Sequence, residues 1–191
     1  MSAAEAFSRI KPALPGEARR RRLEEIIRVD HAGEYGAVQI YRGQRAVFDR
    51  TASKTRASAI IAEMEHGEAQ HLETFDRLIR ERNVRPTALA PLWRLAGFSL
   101  GAATALLGEK AAHACTAAVE EVIQDHYSQQ AEELAESDPE LKETIVRFRD
   151  DEMGHRETAL AEGAEGAPGY PLLRSVIKAG CRVAIRLSEK I

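Results

Sequence analysis

Glu68-Ala-Gln-His71-Leu-Glu73-Thr74 recurs further along the chain as Glu152-Met-Gly-His155-Arg-Glu157-Thr158. A glutamate followed by a histidine at i+3 sets both side chains on one helix face, one turn apart. In a four-helix bundle, a doubled Glu-x-x-His plus one glutamate from each of the other two helices is the ligand set of a carboxylate-bridged dimetal site. Glu34 and Glu120 are the candidates for those two glutamates. Glu152 follows Glu68 by 84 residues and Glu120 follows Glu34 by 86, an internal helix-pair repeat with a two-residue slip. Such a repeat gives a pseudo-twofold site.

The chemistry of such a site follows from its charges. A bare carboxylate in a dry core costs several kcal/mol even after relaxation, and two divalent cations balance four carboxylates. Mixed oxygen and imidazole ligands at an open site favour iron or manganese over structural zinc. Rival registers point elsewhere. Glu63-x-x-His66 is also an i,i+3 pair, but it lies roughly 140° around the helix from Glu68 at 3.6 residues per turn, on a face expected to be solvated. Glu121 leaves the Ile123/Tyr127 line and Asp151 leaves the Phe148/Glu152 line. His31, next to Asp30, reads equally as a support for a ligand or as a plain structural pair.

These residues need helices to position them, and the sequence supplies helical patterns throughout. Among 191 residues, 44% are hydrophobic and only 5% aromatic, and long Val/Ile/Thr alternations are missing, so an all-α chain of one domain is expected. Residues 1–18, with Pro12, Pro15 and Gly16, suggest a loose N-terminal arm, and 19–191 a single domain. Bundle helices are predicted at about 20–50, 54–82, 109–136 and 139–162. The second carries the stripe Ile61, Met64, Glu68, His71, Phe75 and Leu78, with acid and imidazole where apolar residues are expected. A short polar turn at Thr51–Ser53 separates it from the first. Asp138 as N-cap and Pro139 at the first helical position mark the start of the fourth.

Two further helices have a different character. Residues 88–108 are apolar around the single charge Arg94, and their uncharged stretch, Leu95 to Gly108, is too short for an ordinary membrane span. It suits a buried or interfacial crossover helix. Residues 172–190 place Arg174, Lys178, Arg182, Arg186 and Lys190 at steps of four, largely off the apolar line of Leu173, Val176, Ile177, Ala184 and Leu187.

Several runs then carry a specific resemblance: Val29-Asp30-His31-Ala32-Gly33-Glu34-Tyr35-Gly36-Ala37, Ala114-Cys115-Thr116-Ala117-Ala118-Val119-Glu120-Glu121, His126-Tyr127 and Phe148-Arg149-Asp150-Asp151-Glu152. Over roughly residues 20–191 the chain resembles the demethoxyubiquinone hydroxylase family. The resemblance implies a ferritin-like four-helix bundle with an apolar crossover helix and an additional C-terminal amphipathic helix. It implies a di-iron monooxygenase that hydroxylates the ring of a demethoxyubiquinol in ubiquinone biosynthesis, with O2 and electrons from NADH, whose site it does not locate. The family's ligands fall on Glu34, Glu68, His71, Glu120, Glu152 and His155, holding two iron ions per chain. His126 and Tyr127 match positions linked to electron transfer, although Tyr127 also reads as core packing. The substrate, a polyprenyl quinol, lives in a bilayer. Peripheral contact with an anionic membrane through 88–108 and 172–190 is therefore expected, on the cytoplasmic face of a bacterial inner membrane.

Other classes stay open on the residues alone. One is a ferritin- or rubrerythrin-like bundle that stores iron or scavenges peroxide. Another is a helical membrane-surface adaptor without metal. A net charge of -3 argues against nucleic acid as a partner. Cys115 and Cys181, far apart and without a C-x-x-C, suggest reduced thiols rather than a disulfide framework. No secretory signal is evident in Met1 to Pro15. A homo-oligomer or a complex of ubiquinone-biosynthesis proteins is compatible with this pattern.

Overall fold

A computed structural model describes residues 15–50 and 56–191. Among the described residues there are six α-helices: α1 (Pro15–Phe48), α2 (Arg56–Glu81), α3 (Ala90–Leu106), α4 (Glu109–Glu133), α5 (Pro139–Ala161) and α6 (Tyr170–Lys190), with a 3-10 turn at Ala164–Gly166 before the last. The all-α, ferritin-like arrangement expected from the sequence is present: α1, α2, α4 and α5 form the bundle, α3 crosses over, and α6 packs outside. Short connections after α1 and after α4 make each pair antiparallel neighbours.

The helix starts follow local chemistry. Residues 15–18, expected in a loose arm, are helical instead. Pro15 stands at the first helical position, where its missing N–H costs nothing, and Glu17 supplies an acid to the first turn. The rest of the arm, residues 1–14, and the turn at Thr51–Ser53 lie outside the described residues. Asp138 caps α5 as expected, its carboxylate accepting from the Leu141 N–H at 3.1 Å. Arg82, beyond the end of α2, binds the same carboxylate and ties α2 to the start of α5.

The core has two apolar ends with the acids between them. Ile26, Ile27, Phe75, Tyr127, Leu134, Leu141, Ile145 and Phe148 form one cluster. Tyr41, Phe48, Ile61, Met64, Ala105 and Ala112 form the other. Along α1, α2 and α4 the candidate positions fall between members of the two clusters, and in α5 Glu152 and His155 follow the last member of the first. Burying a large apolar side chain stabilises by about 1.5–3 kcal/mol, so several are needed to offset each uncompensated carboxylate.

Glycines bring α3 against α1. A Cβ at Gly101 would overlap the carbonyl of Ile40, one at Gly43 would overlap the carbonyl of Phe98, and one at Gly97 would stand 2.9 Å from the carbonyl of Gly36. Gly36, Ile40 and Gly43 thus meet Gly97, Gly101 and Ala102 with positions rising together, so the two helices run in the same direction with their backbones in near contact. Gly108, at φ 109°, then turns the chain into α4, in a conformation that only glycine adopts readily.

The basic row of α6 is divided. Arg174 and Lys178 both bind Glu121 of α4, at 2.5 Å each, and Lys190 pairs with Glu25 of α1 at 2.9 Å. Arg182 and Arg186 are exposed. Three of the five therefore fasten α6 to the bundle, and the outward basic rim is smaller than the sequence pattern suggests.

Candidate metal centre

The four bundle helices converge on the six residues named by the repeat. Glu34 comes from α1, Glu68 and His71 from α2, Glu120 from α4, and Glu152 and His155 from α5. All four carboxylates are at most 1% exposed, which is where an acid is least expected unless something balances it. Their donor atoms form two overlapping groups. Glu34, Glu68, His71 and Glu152 make one, Glu68, Glu120, Glu152 and His155 the other, and the atoms of each lie within 4.8 Å of one another. Glu68 and Glu152 belong to both groups, as bridging carboxylates must. Glu34 with His71, and Glu120 with His155, belong to one group each.

Both imidazoles present Nδ1 to the carboxylates. His71 Nδ1 lies 3.1 Å from Glu152, 3.6 Å from Glu34 and 4.0 Å from Glu68. His155 Nδ1 lies 3.1 Å from both Glu68 and Glu152. Burial pushes Glu68 well above the usual carboxylate range, reinforced by Glu152, Glu120 and Glu34. Burial pushes Glu120 up likewise, with Glu152 adding to it. Burial would raise Glu152 too, but hydrogen bonds from His155 and His71 outweigh it and hold that carboxyl at about 2. For His71 burial favours the neutral ring, yet Glu152 and Glu34 override it and raise the imidazole to about 10. Without metal, protons must stand in for cations.

The donor set fits divalent metal on a further observation. Glu34 Oε2, Glu68 Oε2 and Glu120 Oε2 are sealed from solvent and have no hydrogen-bond partner. Orphaned buried carboxylate oxygens are costly, and cations at the two groups would engage all three.

Other side chains brace the cluster. Tyr41 donates its hydroxyl to Glu120 Oε1 at 2.7 Å, and Tyr127 donates to Glu34 Oε1. Asp151 Oδ2 lies 3.2 Å from His71 Nε2, and the Phe148 ring stacks on His71 at 3.9 Å. Asp151, which leaves the inward stripe of α5, nevertheless reaches the site from its rim. Tyr41, a residue type that reads as core packing on a helix stripe, also reaches the cluster. A signal for it exists in the sequence: Glu34, Tyr41 and Gln44 repeat as Glu120, Tyr127 and Gln130 at identical spacing.

The remaining candidates go elsewhere. Glu63 and His66 are exposed, and His66 Nε2 meets the Gln70 amide at 3.0 Å. His31 Nε2 pairs with Asp76 at 2.9 Å. Asp30 is buried and accepts from the Gln130 amide at 2.8 Å. His126, expected beside the site, lies against this pair instead, 2.9 Å from Gln130 and 3.5 Å from Asp30. Tyr127 alone of the His126-Tyr127 pair touches the cluster, at Glu34. Cys115 and Cys181 are free thiols, raised by burial to about 12 and about 11 respectively.

An apolar groove of about 450 Å³ runs between α3 and α6 over a floor of α1 and α4. Its floor includes Gly33 and Ala37, one residue before and three after Glu34, and Val119 and Ile123, one before and three after Glu120; Trp93, Leu100, Cys181 and Ala184 line its walls. The outer faces of α3 and α6 and their ends expose Leu92, Leu95, Phe98, Leu106, Leu107, Leu172, Val176, Val183 and Leu187. No helix among the described residues is long and apolar enough to cross a membrane.

Fold and centre together define a ferritin-like helical bundle with a buried carboxylate–histidine cluster able to hold metal. The chain belongs to the family described as ubiquinone biosynthesis protein COQ7, whose model matches residues 21–188. It is 48% identical to the 3-demethoxyubiquinol 3-hydroxylase of Rhodospirillum rubrum over 93% of this chain and 83% of that protein. It is 51% identical to a Homo sapiens protein named NADPH-dependent 3-demethoxyubiquinone 3-hydroxylase, mitochondrial, over 90% of this chain and 79% of that one. The 5-demethoxyubiquinone hydroxylase, mitochondrial, of Saccharomyces cerevisiae is 39% identical over 88% and 78%.

Proposed function

We propose that this chain is a di-iron 3-demethoxyubiquinol 3-hydroxylase, an oxidoreductase of ubiquinone biosynthesis that inserts one oxygen atom of O2 into the ring of its quinol. The observation that carries the reading is the pair of donor groups sharing Glu68 and Glu152, beside an apolar groove floored by the neighbours of Glu34 and Glu120. Similarity to proteins named for this reaction supplies the substrate class. Iron storage or peroxide scavenging would leave the groove without a use.

Glu68 and Glu152 would bridge two ions, Glu34 and His71 would complete one coordination sphere, and Glu120 and His155 the other. Ferrous ions held there would bind and activate O2, which in its ground state reacts poorly with closed-shell rings. The protein's part is to dry and shape the site. Ala37, Ile40, Val119 and Ile123 offer the ring an apolar floor with no competing hydrogen-bond donor, and the lipid tail can leave along the groove between α3 and α6. Tyr41 and Tyr127 hold one oxygen of each non-bridging glutamate and leave the other for metal. Electrons would come from a reduced nicotinamide; NADH is expected from the sequence, whereas the animal relatives are named for NADPH.

The exposed leucines of α3 and α6 with Arg94, Arg182 and Arg186 around them support peripheral docking on an anionic bilayer, from which a polyprenyl quinol could enter the groove directly. Flotation with anionic liposomes at low salt tests this, and protein remaining wholly in the soluble fraction would exclude it. The reaction is tested by single turnover of iron-loaded enzyme on a short-tail demethoxyubiquinol under 18O2. A product bearing one labelled oxygen is expected; unchanged quinol with rapid peroxide consumption would instead indicate a scavenger.

A further inference from the structure

The repeat that builds the centre is broken at a position next to each histidine. Directly before the bridging glutamate stands Asp151 in α5 and Gly67 in α2. Asp151 Oδ2 lies 3.2 Å from His71 Nε2, the ring nitrogen turned away from the ligand cluster. A Cβ at Gly67 would stand 3.4 Å from His155 Nε2. Gly67 therefore holds, toward His155, the place that Asp151 holds toward His71, and brings no acceptor to it. A second difference lies one turn earlier. Phe148 stacks on His71 with an interplanar angle of 24°, whereas its repeat counterpart, Met64, packs in the cluster of Tyr41 and Ile61. The His71 side chain is 6% exposed and that of His155 is 18% exposed.

From this we infer that the two metal positions are built unequal, with Asp151 as a positioning residue for His71 and the Gly67 gap leaving His155 to water. The ion held by Glu34 and His71 is the tight one; the ion held by Glu120 and His155 is the loose, exchangeable one. The inference rests on the reading of the six residues as ligands of two ions. Its physical basis is general. A carboxylate accepting the outer N–H of a ligating imidazole fixes the tautomer, leaves the other nitrogen free for metal and raises its basicity. Removing such a partner lowers metal affinity by roughly 10–100-fold. Asp151 is 53% exposed, so solvent competes with it and the lower end of that range applies.

The test is anaerobic titration of the metal-free full-length chain with Mn(II), followed by calorimetry and electron paramagnetic resonance. Repulsion between two ions separates the binding steps by itself, so the variants carry the discrimination. Asp151→Asn is expected to weaken the tight step about tenfold and leave the loose step in place. Gly67→Asp is expected to strengthen the loose step, and Gly67→Ala, which fills the space without an acceptor, is not. In the Co(II)-loaded protein, wild type should show one slowly exchanging imidazole N–H resonance, lost in Asp151→Asn and joined by a second in Gly67→Asp. Asp151→Asn lowering both steps equally, or Gly67→Asp behaving as Gly67→Ala, would overturn the inequality while leaving a dimetal site standing. Absence of Mn(II) binding would overturn both.

Discussion

Tyr41 of α1 donates its hydroxyl to Glu120 of α4, and the relationship is returned, because Tyr127 of α4 donates to Glu34 of α1. Each tyrosine stands seven residues after the glutamate of its own helix and braces the glutamate of the other. Both bonds use Oε1, and in both glutamates Oε2 is the oxygen with no partner. The bracing thus leaves Oε2 of each glutamate free, and on the proposed dimetal reading Glu34 and Glu120 would each offer that one oxygen to metal. A hydrogen bond to a charged group is worth about 1.5–3 kcal/mol. Tyr41→Phe, which keeps the ring packing, should lower the unfolding free energy of the metal-loaded protein by about 1–2 kcal/mol and speed iron release. Denaturant titration and chelator competition measure these, and unchanged values would mean that the bond does not hold the ligand.

The protons that replace metal make the metal-free chain sensitive to pH, with a definite sign. Glu68 and Glu120 are pushed up from 4.5 in the fold, and His71 is raised from 6.5 to about 10. In each case the folded state holds protons that the unfolded state gives up, so stability falls as pH rises above those ordinary values. Glu152, lowered from 4.5 to about 2, acts oppositely, and its contribution is lost as pH falls through that window. The thermal midpoint of metal-free protein should therefore peak between about pH 4.5 and 6.5 and decline toward pH 9. The increment given by added Mn(II) should grow over the same range, since binding must displace those protons. A midpoint independent of pH between 6 and 9 would contradict the charge balance described for the centre.

The contact between α1 and α3 makes a mechanical prediction. A Cβ at Gly101 would overlap the carbonyl of Ile40, which is main chain and cannot rotate away. Gly101→Ala should force α3 off α1 and cost about 1–3 kcal/mol, as overpacking does. Gly180 on α6, where a Cβ meets nothing within 4 Å, is the control: Gly180→Ala should be neutral or slightly stabilising. Equal effects at both positions, measured by chemical denaturation, would mean that the close approach is not obligatory.

Ala184 lines the groove on α6, remote in sequence from every proposed ligand. Ala184→Phe should fill the wall and raise KM for a short-tail quinol roughly tenfold, about 1.4 kcal/mol, with iron content unchanged. Saturation kinetics beside metal analysis separates the two. Unaltered KM would move the substrate path elsewhere.

Periodicity in the sequence names all six residues that converge in the bundle, because an acid or imidazole on a stripe such as Ile61, Met64, Phe75 and Leu78 has nowhere to point but inward. The same reasoning fails for groups that work at the rim. Asp151 leaves the stripe, yet reaches His71 because the outer nitrogen of that ring faces across to α5. Glu121 also leaves the stripe, and it anchors Arg174 and Lys178, which the regular spacing of α6 presents as part of an outward basic row. Tyr41 is hidden by its type, since a tyrosine on a core stripe is ordinary. Gly97 and Gly101 look like interruptions of an apolar helix, and only three dimensions reveal them as the surface that admits α1.

The proposed function depends most on the six residues holding two ions in two linked positions. The most direct measurement is the iron stoichiometry of anaerobically reconstituted full-length chain, with Mössbauer spectra of the 57Fe-loaded protein, for wild type and Glu120→Ala. About two irons per chain are expected in wild type, magnetically coupled after oxidation, with loss of the coupled pair in Glu120→Ala. Wild-type protein that binds no iron, or a coupled pair that survives Glu120→Ala intact, would contradict it.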